Sequence, residues 1–157
     1  MHAIAVILAN KNITMEISDR FILAKSIELP QDIGLVPVTD GLNDELVELI
    51  DKADILYEEF EYLNKSVIEV LEDVSSLGEV SYIETDYFGG TGAQSSIVWK
   101  NRKVIYGPNL SSNTDTNPIN DALKILGVRI IKRHDEFDEV GLGRYRSTEK
   151  WFERGCS

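Results

Sequence analysis

The chain has 157 residues, of which 43% are hydrophobic and 27% charged, with a formal net charge of -11. That length suffices for one hydrophobic core without help from disulfides or metals, so a single domain spanning 1–157 is expected. The acidity weighs against direct nucleic-acid binding and against anionic membrane surfaces, and it favours a basic protein partner.

The only cysteine, Cys156, can form no intramolecular disulfide and belongs to no thiolate cluster, which fits a reducing compartment. The apolar run Ala3 to Ala9 lacks the basic and small-residue flanks of an export signal and reads as a strand. No stretch approaches the roughly 20 apolar residues that a spanning helix requires, so a cytoplasmic location is expected.

From the start of the chain, Ala3 to Leu8, Ile13 to Ile17, Phe21 to Leu23 and Gly34 to Val38 are short apolar runs separated by turn signals, one of them Asn10-Lys11-Asn12. All four are expected to be strands. At Thr39-Asp40 an acidic cap precedes a helical stripe of Leu42, Leu46, Leu49 and Ile50. A second helix is expected from the stripe Leu56, Phe60, Leu63, Val67, Val70, Leu71 and Val74, stopped by Gly78.

Period-two patterning then marks Glu79 to Tyr87, Ala93 to Lys100 and Lys103 to Tyr106 as a three-stranded antiparallel meander, joined through Phe88 to Gly92 and through Asn101-Arg102. A short third helix is expected after Asn117, with Pro118 at its first position and Gly127 as terminator. Val128 to Ile131 reads as a last strand, followed by a helical turn around Asp135 to Val140 and a short helix near Thr148 to Phe152. The expected class is α+β, an antiparallel sheet packed with an acidic helix pair and the third helix.

Between Asp40 and Asp73 lie twelve acidic residues (Asp40, Asp44, Glu45, Glu48, Asp51, Asp54, Glu58, Glu59, Glu61, Glu69, Glu72, Asp73) against Lys52 and Lys65. Glu69, Glu72 and Asp73 sit near the end of their expected helix, where the dipole disfavours them, so helix stability does not explain them. A concentrated acidic face can steer a cationic partner, although acidic faces are also commonly just solvated. The candidate partner-binding residues are Asp44, Glu48, Asp51, Tyr57, Glu58, Glu61, Tyr62 and Glu69.

No catalytic residues, cofactor or metal site are assigned. The one alternative is the pair Glu84 and Asp86, which share a strand face about 7 Å apart by strand rise and could hold a divalent cation. With Gln94, Ser96 and His134 nearby they would suggest a small metal-assisted hydrolase. A structural role for two strand carboxylates is the commoner case. Gly89-Gly90-Thr91-Gly92 lacks the lysine of a phosphate loop, and Gly141-Leu142-Gly143 lacks the rest of a dinucleotide motif.

Two stretches carry a family resemblance: Glu84-Thr85-Asp86-Tyr87-Phe88-Gly89-Gly90 through Gln94 to Val98-Trp99, and Pro118-Ile119-Asn120 through Leu126-Gly127-Val128 to Asp135-Glu136-Phe137-Asp138 and Gly141-Leu142-Gly143-Arg144. They resemble small bacterial proteins that include immunity proteins of polymorphic or contact-dependent toxin systems. The resemblance covers roughly the second half of the chain, outside the acidic segment, and implies no catalytic residues. It implies a protein that binds a toxin domain, possible nucleases among them, and occludes its active surface. A regulatory module with an unrelated basic partner is the other binding-protein reading.

Overall fold

A computed structural model describes residues 1–113 and 115–156. Its centre is a six-stranded, wholly antiparallel sheet: β1 (His2–Asn10), β2 (Ile27–Glu28), β3 (Ile33–Pro37), β4 (Val80–Phe88), β5 (Thr91–Lys100) and β6 (Lys103–Ser111), in the order β2-β3-β1-β4-β5-β6. The helices are α1 (Lys11–Arg20), α2 (Asp40–Ile50), α3 (Lys65–Val74), α4 (Pro118–Ile125), α5 (Glu136–Glu139) and α6 (Thr148–Cys156). The fold is α+β, as the patterning predicts.

Alternate side chains of β1 explain the layering. Ala5, Ile7 and Ala9 point into a cluster with Ile13 and Ile17 of α1, Leu42 and Leu46 of α2, and Val67, Val70, Leu71 and Val74 of α3. Ile4, Val6 and Leu8 point the other way, to Ile119 and Leu123 of α4, to Leu142 in the loop after α5 and to Trp151 of α6. A strand buried on both faces reads as a continuous apolar run, and β1 does.

The meander forms as expected, with both connections being two-residue hairpins. Phe88 pairs with Thr91 across Gly89-Gly90, and Lys100 pairs with Lys103 across Asn101-Arg102. All four turn residues have positive φ, the signature of a type I′ turn. Arg102 is an unusual residue there; its N–H donates to the Ser75 hydroxyl, which fixes the turn against the end of α3.

The structure corrects several expectations. Ile13 to Ile17 is the inner face of α1, and Phe21 to Leu23 is a connection rather than a strand. Asn10, read as part of a turn, is the α1 N-cap and accepts from the Asn12 N–H. Burial of Ile13 and Ile17 one turn apart outweighs the strand preference of their β-branched side chains. Thr39 rather than Asp40 caps α2, accepting the Leu42 N–H, and Leu49 is exposed rather than inward.

One further correction matters most for function. The expected helix over Leu56 to Val74 begins only at Lys65, capped by Asn64, and ends before Gly78. Residues 51–64 form an irregular segment in which Leu56 is exposed. Glu84 supplies the reason. Its buried carboxylate accepts the N–H groups of Glu61 and Tyr62, which a continuous helix would direct to carbonyls one turn back.

Lastly, Val128 to Ile131 is not a strand. The Gln31 side chain makes a reciprocal pair with the Arg129 backbone at 2.8 and 2.9 Å, and the Glu139 carboxylate accepts the N–H groups of Ile131, Lys132 and Arg133. Side chains thus satisfy the backbone where no neighbouring strand does. Among the described residues, no helix is long and apolar enough to cross a membrane.

Candidate functional site: an acidic cleft

One row of residues runs straight across the sheet. Ala5 faces Glu84, Glu84 faces Ser95 and Ser95 faces Leu110. The next row outward is Ala3, Asp86 and Ala93. The adjacent inner row, Ile7, Tyr82 and Ile97, is large and covered by the helical layer. Small side chains outside that layer leave a depression, and residues 58–62 form one wall.

The opposite wall comes from the start of α6. Ser147 pairs with Ala3 in parallel fashion, Ala3 donates its N–H to the Arg146 carbonyl, and the Ala5 N–H donates to the Thr148 hydroxyl at 2.9 Å. This segment extends the sheet along β1 beyond β3, which pairs only with Val6 to Asn10.

The resulting cleft has a volume of about 750 Å³. Its lining contains Asp40, Glu58, Glu59, Glu61, Glu84, Asp86 and Glu149, and among the described residues no lysine, arginine or histidine lines it. Tyr62 adds an exposed aromatic ring, backed by the buried Phe60, and Ser95 and Thr148 add hydroxyls.

Glu84 is the structural centre. Its carboxylate accepts from the Glu61 N–H at 2.8 Å, from the Tyr62 N–H at 2.9 Å and from the Tyr82 hydroxyl at 2.6 Å. Burial raises its pKa above the ordinary glutamate value; the three hydrogen bonds oppose that shift without cancelling it. The phenol of Tyr82 is pushed well up by burial, then by its carboxylate neighbour. Tyr62 is raised chiefly by the adjacent Glu61 charge.

Chain comparisons decide nothing further. No family model, curated protein or solved structure matches the chain.

The sequence candidates divide into three groups. Glu58, Glu61 and Tyr62 line the cleft, but from the irregular segment rather than from a helix face. Tyr57 is half-buried against the core, so it serves packing more than contact. Asp44, Glu48 and Asp51 are exposed along and at the end of α2 and do not line the cleft, and Glu69 is ion-paired with Lys52 on α3's flank. The helix pair forms as α2 and α3, and the segment between them supplies an acidic wall to the cleft.

The metal-site alternative loses its geometry. Glu84 and Asp86 do share a face, but their cross-strand partners are Ser95 and Ala93, not Gln94 and Ser96. Gln94 lies on the opposite face, where its Oε1 accepts the Ile119 N–H, and Ser96 donates to the Pro118 carbonyl. His134 is exposed in the loop before α5, which packs on α4. No group of three or more His, Cys, Asp or Glu residues among those described is arranged to hold a metal.

Sequence reasoning did not single out Ser95 or Glu149 as members of the acidic site, nor Glu59 as one of its contacts. The missing signal was the hairpin length. With a two-residue turn at Gly89-Gly90, the register places Ser95 opposite Glu84, whereas reading 88–92 as the loop leaves the register open.

Proposed function

We propose that this protein binds and neutralises a cationic protein, and that its partner is a bacterial toxin domain whose active surface it occludes. One observation carries the binding half of this reading: a concave surface with seven carboxylates and no cationic side chain among its described lining residues. Like-charged groups converging on one depression repel one another, and a positive partner relieves that repulsion while the field speeds its approach. The toxin half is what the resemblance of the second half implies. A nuclease would suit the charge, since substrate clefts for nucleic acid are themselves basic.

This reading places the encounter in the cytoplasm, where the lone exposed Cys156 would stay reduced. Neutralisation is by direct protein contact and uses no cofactor. Co-expression with the cognate toxin domain is expected to restore growth. Continued killing by a pair shown to be folded and co-expressed would overturn it.

A further inference from the structure

Resting on that binding reading, we infer that the floor of the cleft is a socket for a guanidinium group, presented by an arginine side chain of the partner. The acidic lining alone would favour any cation. A second observation narrows the chemistry: Ser95 is 3% exposed, lines the floor opposite Glu84, and its hydroxyl makes no hydrogen bond to the described residues. Every other deeply buried hydroxyl around it is engaged: Thr85 with His2, Ser81 with the Ile97 carbonyl and Ser96 with the Pro118 carbonyl. Among the described residues only the Trp151 indole N–H is sealed without a partner, so the Ser95 hydroxyl opens to the cleft and is available to a group that enters it.

Beside it stand two acceptors of the right charge. Asp86, one step along the same strand face, is exposed and makes no ion pair. Glu84, which lines the cleft, has one oxygen that accepts only the Glu61 N–H and retains capacity for a further donor. Three acceptors spread over neighbouring strands suit a planar fork of five N–H donors better than a compact ammonium, which is also more strongly hydrated. A divalent cation would need six or more oxygens, and no group of three acidic or histidine ligands is assembled among the described residues. The half-exposed ring of Tyr62 on the wall suits the methylene stem.

The test uses the full chain, isotope-labelled, titrated with acetyl-Gly-Arg-Gly-amide and followed by amide chemical shifts. Saturable shifts at Ser95, Glu61 and Tyr62 are expected, with the citrulline peptide, which has the same shape but no charge, inert and the lysine peptide weaker. Ser95→Ala and Asp86→Asn should each weaken binding about threefold or more, while Glu48→Gln, outside the cleft, leaves it unchanged. Equal binding of the citrulline peptide, no saturable shift at Ser95, or indifference to both substitutions in folded variants would overturn the socket. So would tighter binding of free L-arginine than of the peptide, which would mark a metabolite site instead. Loss of the socket alongside successful toxin neutralisation would leave the broader binding reading standing, so the two can fail separately.

Discussion

Glu84 accepts three hydrogen bonds at a position water barely reaches, and burial still lifts its pKa. A raised acid binds its proton more tightly in the folded state. Its contribution to stability is therefore complete below the ordinary glutamate range and declines as pH rises through the raised value. In Glu84→Gln that decline should vanish, and one of the two N–H groups of Glu61 and Tyr62 would face an amide NH₂. Urea unfolding across pH 4 to 8 should show the variant less stable, by about 1 to 3 kcal/mol at the acidic end, with the gap narrowing as pH rises. Asp73 behaves oppositely. The Arg20 guanidinium, aided by Arg102, holds its carboxyl below the usual aspartate value, so its contribution is present above that value and fades as pH falls. Arg20→Ala should return the Asp73 titration, read by NMR, toward normal. Neither role is legible in the sequence, because both depend on which strand or helix ends meet, whereas the glutamate at position 84 stands out only as one of two strand carboxylates.

Helix beginnings show what local signals can and cannot say. Asn64 is 7% exposed; its side-chain oxygen accepts the Val67 N–H while its amide donates to Asn43, tying α3 to α2. Asn64→Ala should cost about 1 to 2 kcal/mol in chemical denaturation, more than an exposed cap would. At Gly34 the limit is space: an added Cβ would lie 1.8 Å from the Thr14 hydroxyl of α1, so Gly34→Ala should destabilise by about 1 to 3 kcal/mol. The meander and the third helix are readable from alternation and punctuation alone, since Gly89-Gly90 and Pro118 act locally. The extent of α3 is not, because the apolar spacing of Leu56, Phe60 and Leu63 fits a helix and only the distant Glu84 diverts the chain. Likewise α1 resembles a strand until its partner layer is known.

Charge makes sense only across the whole molecule. Within the acidic stretch, Glu69 is paired with Lys52, Asp54 with Lys65, and Asp73 with two arginines, while Glu45 accepts the N–H groups of Ile22 and Leu23. The carboxylates left to act outward on this stretch's cleft side are those of Asp40, Glu58, Glu59 and Glu61. For a cationic partner, Glu58→Gln with Glu61→Gln should lower the association rate severalfold at low salt, and the effect should shrink toward physiological ionic strength. Glu69→Gln should leave that rate unchanged in stopped-flow measurements. A uniform negative surface would predict equal losses at all three.

The arrangement of β1 also governs how the chain must come together. It lies in the interior of the sheet, between β3 and β4, yet β4 follows about seventy residues later. A chain emerging from the ribosome therefore holds its most apolar strand half-paired while the intervening helices are made. Such distant pairing slows folding and exposes sticky backbone in the meantime. Refolding in the range of milliseconds to seconds, with aggregation rising steeply with protein concentration, is the kinetic signature to expect.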